Sequence, residues 1–291
     1  MTPPVPTPPP FPPQAAARPA AWPWPAALRA SVGLHAAAGA AALLVPGAAP
    51  WALCSVVLNH LGLTAAGLWP RSALLGPNVT RLPAAAARRE FALTLDDGPD
   101  PEVTPAVLDL LDEAGVKATF FVIARCAAQH AALLRETVRR GHDVQNHSHL
   151  HRHDFSMRGP RGLAQEIGAA QDLLADLTGQ RPHCFRAPAG LRNPLLDPVL
   201  HRLGLHLVSW TRRGFDTRDG DPTRVLARLI GPQGRQLAAG DILLVHDGHA
   251  RRSPAGQPVL LAVLPPLLAA ARAFGLQATT LRAALPARGH T

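Results

Sequence analysis

The stretch Phe91-Ala92-Leu93-Thr94-Leu95-Asp96-Asp97-Gly98-Pro99-Asp100 sets a short apolar run against two adjacent carboxylates and a Gly-Pro turn. Such a run reads as a strand that delivers acidic groups to the rim of a sheet. Neighbouring side chains on a strand point to opposite faces, so one carboxylate can hold a cation while the other handles a proton. Leu95 to Asp100 would also serve as a polar turn with Asx hydrogen bonds ahead of a helix. The rest of the chain decides between the two.

From Glu90 onward, strand and helix signals alternate. Strand candidates are 91–95, 118–123, 142–146, 183–186, 205–210, 241–246 and 276–280. Helical patterns lie between them at 103–114, 127–140, 161–178, 195–203, 222–230 and 258–274, and most are followed by glycine, the usual left-handed cap. The stripe Leu163, Ile167, Leu174, Leu177 has the helical spacing of core packing. About seven strands alternating with helices imply an α/β fold with a mainly parallel sheet, doubly wound or closed into a barrel.

The N-terminal third has a different texture. Residues 1–27 are rich in Pro and Ala and have nothing to fold around. Two apolar segments follow, Ala30 to Ala48 and Trp51 to Trp69, both without Asp, Glu, Lys or Arg and both close to the ~20 residues a helix needs to cross a bilayer. Pro46 and Pro50 break the join, and Trp22, Trp24, Trp51 and Trp69 stand where amphipathic indoles settle at an interface. Residues 28–70 are therefore expected to form a membrane hairpin; the competing reading is a soluble alanine-rich hairpin, since His35, Asn59 and His60 lie inside. A hairpin leaves both its ends on one side. With Arg18 and Arg29 before it, and Arg71, Arg81, Arg88 and Arg89 after it, the positive-inside rule leans the C-terminal domain to the cytoplasmic face of a bacterial-type inner membrane. Residues 71–89 read as a linker, 90–285 as the main domain and 286–291 as a tail.

The net charge of +9 invites a nucleic-acid partner, but the basic residues are scattered arginines with Lys117 as the only lysine. A compositional bias explains them better, and no nucleic-acid partner is expected. Cys54, Cys126 and Cys184 are odd in number and widely spaced, which fits neither a disulfide framework nor a zinc ribbon.

In parallel α/β folds the chemistry gathers at the C-terminal ends of the strands. Those ends carry Asp96-Asp97, then Asn146-His147-Ser148-His149-Leu150-His151-Arg152-His153, then Arg186-Ala187-Pro188-Ala189-Gly190, then Trp210 to Asp216, then His246-Asp247-Gly248. His147 and His151 are four apart, so one helical turn would place both imidazoles on one side. With a carboxylate such as Asp97 they would form a two-His, one-carboxylate site that keeps a position open, as catalytic metal sites do. Asp100 reads as the cap of the next helix, Asp247 and His249 as rim residues, and His142 and His183 as structural.

The combination D-D-G-P, H-S-x-x-H, R-x-P-x-G, an aromatic-to-Asp segment and L-x-H-D, in that order, resembles the polysaccharide deacetylases: the NodB-homology domains of carbohydrate esterase family 4. The resemblance covers roughly residues 90–285. It implies a deformed (β/α) barrel and hydrolysis of the acetamide of an N-acetylated amino sugar on a polysaccharide, peptidoglycan or lipid-linked glycan. It further implies Asp97, His147 and His151 as ligands of zinc or another divalent transition metal, with Asp96 as catalytic base. Arg186 would orient that base, His246 would act as general acid with Asp216 as its partner, and a backbone N–H at Ala189 would hold the oxyanion. Trp210 is expected at the substrate. Ala189 and Thr217 stand where the family commonly has aromatics, which bears on substrate choice. A catalytically silent carbohydrate-binding protein on the same fold is the alternative.

Overall fold

The computed structural model describes residues 21–83, 88–232 and 236–288. Most of the expected Pro/Ala-rich tail (1–20), residues 84–87 of the expected linker and the last three residues of the C-terminal tail lie outside the described residues.

Helices α1 (Ala26–Leu44) and α2 (Ala49–Leu68) form the apolar hairpin. Helix α1 stops before Pro46, and Pro50 sits in the first turn of α2, where its missing N–H costs nothing. The first helix starts earlier than expected and takes in Arg29. Only 11% of each apolar span is buried, so neither is the core helix of a globular domain. The polar residues inside the spans meet each other: His35 Nε2 lies 3.2 Å from His60 Nε2, and Asn59 Nδ2 donates to Ser31 Oγ at 2.8 Å. Polar side chains between apolar helices are satisfied in this way when water is absent.

The main domain is built on parallel strands β1 (Glu90–Asp96), β2 (Thr119–Val122), β3 (Asp143–Asn146), β4 (Cys184–Phe185), β5 (His206–Leu207), β6 (Arg212–Arg213) and β7 (Ile242–His246). Their spatial order is β5-β4-β3-β2-β1-β7-β6, and β8 (Gln277–Ala278) pairs with the start of β1. Strand β6 was not foreseen; two residues between Trp210 and Asp216 are too few to announce a strand by alternation. Strands β1 and β7 pair from Ala92↔Ile242 to Asp96↔His246, so two of the sequence motifs end in register.

Strand parity separates two cores. Leu93, Leu95, Phe120, Val122, Leu243 and Val245 pack outward against the helices, chiefly α3 (Val103–Glu113), α8 (Pro222–Ile230) and α9 (Val259–Ala273). Ala92, Phe121, Cys184, Val208 and Ile242 face the interior with Leu82 and Leu281. Covered on both faces, β7 is buried along its whole length and β1 from Phe91 onward, as central parallel strands must be. Leu163, Ile167 and Leu174 of α6 (Pro160–Thr178) are buried as their spacing predicts, and the helix ends at Gly179, whose φ of 70° suits glycine. The pattern over 127–140 resolves into α4 (Ala124–Gln129) and α5 (Ala131–Arg139), broken at His130. Helix α4 is tied to the loop after β3 because Ala124 N and Arg125 N donate to Ser148 O and His149 O. Helix α7 (Leu196–Arg202) and the short α10 (Leu281–Ala284) complete the domain.

The barrel is open, because β5 and β6 do not pair. The segment expected to be a linker closes the gap instead. Val79 N donates to Leu207 O and Ser209 N to Val79 O on one side, while Leu82 N donates to Gly240 O on the other, each at 2.9 Å. Leu75 and Leu82 are buried. A strand edge has unpaired donors and acceptors, and this stretch of chain satisfies them. Asp241, at the foot of β7, accepts from Arg81 and Arg212 and serves structure. The three cysteines are free thiols.

Candidate active site

The strand ends converge on a cleft of about 190 Å³ lined by Asp96, Asp97, His147, His151, Ala189, Trp210 and His246, with Arg213, Thr217 and Arg218 at its side. Asp96 is the last residue of β1. Asp97 lies past it, with φ at 75°, a left-handed conformation that is costly for a residue with a Cβ and recurs at functional sites. The two carboxylates are therefore set apart by a turn in the backbone and not, as expected, by alternation along a strand.

His147 and His151 do not share a helical turn either. Residues 147–153 form a loop in which Ser148 and His151 both have positive φ. Side chains hold that loop: Ser148 N donates to Asn146 Oδ1, His151 N to Ser148 Oγ and Leu150 N to Glu166 Oε1. The outcome still brings both imidazoles together, with ring centroids 4.9 Å apart. Each Nε2 lies 3.3 Å from Asp97 Oδ1.

Three observations bear on whether these residues suit a metal ion. One ligand atom from each of Asp97, His147 and His151 can be chosen so that all lie within 4.8 Å of one another. His147 Nδ1 stands 2.9 Å from Arg186 O; a carbonyl only accepts, so Nδ1 carries a proton and Nε2, in the neutral ring, has its lone pair free for the cleft. Asp97 Oδ1 is buried and accepts no hydrogen bond of good geometry. Two donors at ~2.0–2.1 Å from a tetrahedral zinc stand about 3.3 Å apart, the spacing of the Asp97–His pairs. The donor set fits a divalent cation.

Asp96 is held from the other side. Arg186, fully buried, donates from Nη1 to Asp96 Oδ1 at 2.6 Å and to Thr94 Oγ1 at 2.8 Å. It also donates to Ser209 O and Val208 O, and its Cζ lies 4.0 Å from the centroid of the Phe121 ring. A planar guanidinium with every edge engaged fixes the carboxylate's direction. Across the cleft, Asp216 accepts from His246 twice, from Nδ1 at 2.9 Å and from the backbone N at 2.7 Å. Asp216 is fully buried, and His246 presents Nε2 to the cleft. Ala189 is exposed at the wall with φ at 54°.

The electrostatics follow from these contacts. Burial alone would raise the Asp97 pKa, but the close approach of His147 and His249 to its carboxylate and the fields of His147 and His246 hold it well below the usual carboxylate range. Burial would lower His147, and Asp96 and Asp97 raise it instead. His246 is likewise raised against its burial, through Asp216. His151 is pushed down to about 4 by burial and by the neighbouring His147.

The sequence missed some of this machinery. Asp247 is not a rim residue: it is buried beneath the Gly98-Pro99 turn, where Thr104 Oγ1 donates to it at 2.6 Å, and burial pushes its pKa up to about 7. A Cβ on Gly98 would come 2.1 Å from Asp247 Oδ2, so the D-D-G-P glycine admits this carboxyl. The signal was present in the pairing of β1 with β7, which sets the two motifs side by side. His249 stands 3.4 Å from Asp97 Oδ2, and Asp100 accepts from the N–H groups that open α3.

The family model for polysaccharide deacetylase matches residues 84–208. Chitooligosaccharide deacetylase of Azorhizobium caulinodans is 35% identical over 54% of this chain and 72% of its own length. The chain belongs to the polysaccharide deacetylase family. It is thereby grouped with hydrolases of carbon–nitrogen bonds other than peptide bonds. Peptidoglycan-N-acetylglucosamine deacetylase PgdA of Listeria monocytogenes is 33% identical over 59% of this chain, which spans only 35% of that longer protein. The family 4 carbohydrate esterase from Streptomyces lividans, solved with acetate, superposes with a TM-score of 0.59 at 28% identity, covering 69% of this chain and 96% of that one. A carbohydrate esterase family 4 pseudoenzyme from Bacillus anthracis shares the fold at TM-score 0.62 and 19% identity, covering 72% of this chain and 68% of its own. The deformed, parallel barrel expected from the resemblance is the fold observed. A larger hollow of about 840 Å³ lies at the opposite end of the sheet, around Phe91, Leu110, Glu113 and Arg272, with no convergent catalytic groups.

Proposed function

We propose that this domain removes the acetyl group from an N-acetylated amino sugar by metal-dependent hydrolysis. The observation that carries the reading is the convergence of Asp97, His147 and His151 on one side of a cleft that also holds an Arg186-bound Asp96 and an Asp216-bound His246. Asp97, His147 and His151 would hold the ion, zinc or another divalent transition metal. When bound, such an ion polarises the acetamide carbonyl and makes water a nucleophile near neutral pH. Asp96 accepts the proton of the attacking water, because Arg186 directs its second oxygen into the cleft. His246 Nε2 gives a proton to the departing amine, and Asp216 stabilises the imidazolium that serves as donor. The backbone N–H of Ala189 would donate to the oxyanion, and Trp210 would pack against the sugar.

The apolar length of α1 and α2, their exposure and the mutual pairing of their polar residues support a membrane hairpin. The arginine bias supports a cytoplasmic domain, and a reporter fused after Thr291 that works only on the outer side would reverse that orientation.

Acetate release from an N-acetylglucosamine oligomer by the full chain in detergent tests the reaction. Activity that chelation stops and zinc restores is expected. Glycan binding with no metal-dependent release would favour a catalytically silent carbohydrate-binding protein on the same fold. The complete set of ligand, base and acid residues favours the enzyme.

A further inference from the structure

The apolar hairpin does not trail from the domain; it is fastened to the wall of the cleft. Trp22 Nε1 donates to Asp197 Oδ2 at 2.8 Å, and Arg192 N donates to Gly67 O, near the end of α2, at 3.1 Å. The Arg192 guanidinium donates to Ser72 O. Pro70 O, just past α2, accepts from Ser209 Oγ at 2.6 Å, beside Trp210. Gly190, in the cleft wall, is wedged against both: a Cβ there would come 2.6 Å from the Trp210 ring and 2.7 Å from Pro70 Cβ. Trp24 and Trp69 are exposed at this same end of the hairpin. Indoles at a span's end mark the interfacial layer, so a bilayer around α1 and α2 brings lipid headgroups to the cleft wall.

The cleft also carries positive charge that catalysis does not use. Arg213 and Arg218 line its side. Arg213 Cζ lies 5.4 Å from the Trp210 ring centroid and 5.0 Å from that of Phe215, and its Nε is buried without a hydrogen-bond partner. A guanidinium steadied by two aromatic faces and short of an acceptor suits the oxygens of a phosphate. The space is small, about 190 Å³, below the ~300–1,000 Å³ of pockets for drug-sized ligands. Ala189 and Thr217 give the lining a methyl and a hydroxyl, and Trp210 is its one indole or phenyl ring among the described residues. That leaves room for one sugar ring and little for stacking a run of them.

We propose that the substrate is borne by the membrane: an N-acetylated amino sugar joined through a phosphate to a lipid of the bilayer that holds α1 and α2. The inference rests on the deacetylase reading and adds the substrate class. The hairpin would hold the cleft at the headgroup layer, Arg213 would bind the phosphate, and the sugar would reach Asp96 and Asp97.

The test uses the full zinc-loaded chain in phosphatidylcholine vesicles with three substrates. They are N-acetylglucosamine joined by a phosphate to a polyprenol in the same vesicles, soluble N-acetylglucosamine 1-phosphate, and tetra-N-acetylchitotetraose. The expected kcat/KM for the lipid-borne sugar exceeds both soluble substrates by about tenfold or more, because the anchor raises its local concentration. Arg213→Ala should raise KM for the lipid-borne sugar about tenfold with a smaller effect on kcat, and Arg213→Lys should recover part of it. Equal or faster turnover of chitotetraose overturns the substrate class and leaves the deacetylase intact. Equal turnover of the soluble sugar phosphate overturns the membrane-borne source, and a loss confined to kcat in Arg213→Ala overturns phosphate binding. No acetate from any substrate with zinc bound overturns the deacetylase reading itself.

Discussion

His142 and His147 flank the same short strand, β3, and both are almost wholly buried. Each meets a phenylalanine of β2 edge-on, Phe120 at 5.6 Å and Phe121 at 6.5 Å between centroids. Yet burial pushes His142 down to about 4, whereas His147 is raised because Asp96 and Asp97 outweigh its burial. His142 Nδ1 accepts from Ala118 N and stays neutral; His147 Nδ1 donates to Arg186 O and turns Nε2 towards two carboxylates. The difference lies in which end of the sheet each ring occupies. Where the strands start, His142 meets Phe120 and a backbone N–H, whereas where they finish His147 faces the Asp96 and Asp97 carboxylates. Burial alone predicts neither ring's state.

The sharpest way to break that comparison is to cut one ring at the charged end. His147→Ala should abolish both stoichiometric zinc binding and acetate release, measured by metal analysis and turnover on the same preparation; undiminished activity would sink the metal mechanism. Asp96→Asn keeps the proposed donor set and removes the proposed base. It should retain zinc and lose about 10²–10⁴ in kcat, and loss of the metal as well would show that the two carboxylates are not separable.

Asp216→Asn should cost less, roughly 10–100-fold at neutral pH, with a characteristic pH signature. Asp216 helps raise the His246 pKa, and a general acid works only while protonated, so with His246 in the proposed role activity should fall as pH rises through that value. Weakening the partner should move this limb of the pH–rate profile to lower pH. An unmoved limb would assign the titration to another group.

At the end where the strands start the expected effect is on stability. The folded pKa of His142, about 4, lies below its ordinary 6.5, so as pH falls the unfolded chain takes up the proton first. The stability this creates is present above 6.5 and is lost progressively towards 4. It amounts to about 1–3 kcal/mol, and in His142→Gln the drop in Tm from pH 7 to pH 5 should shrink accordingly, with turnover at pH 7 retained. Smallest of all, Glu113→Gln at the exposed edge of the large hollow should leave kcat/KM within about twofold and stability within about 0.5 kcal/mol. A greater loss of activity would mean that this hollow takes part in function.

Much of the fold was legible because parallel α/β order writes itself as alternation: apolar runs too short for helices, helical stripes between them and glycines after the stripes. The strands over 90–96 and 242–246 were found to within a residue or so, since each is buried on both faces. Strand β6, only Arg212–Arg213, carries no period to read. The role of residues 71–83 was hidden because Gly76-Pro77-Asn78 looks like a turn in any linker, whereas its partners, Leu207, Ser209 and Gly240, lie far along the chain.

The sequence by itself determined which groups are available at the strand ends: two carboxylates after β1, imidazoles after β3, a guanidinium after β4, an Asp after β6 and a His ending β7. Strand direction forces these to one rim, and residue type forces the chemistry. How they are arranged around the cleft depends on the folded sheet. The left-handed turn at Asp97 sets its carboxylate apart from that of Asp96, the Ser148 and His151 conformations replace the expected helical turn, and the β1–β7 register buries Asp247 under Gly98. The tertiary structure alone also seats Pro70 against Gly190 and Trp210. These are contacts between residues far apart in the chain, and local propensity does not reach them: their energy comes from packing and paired charge, which exist only once the sheet has formed.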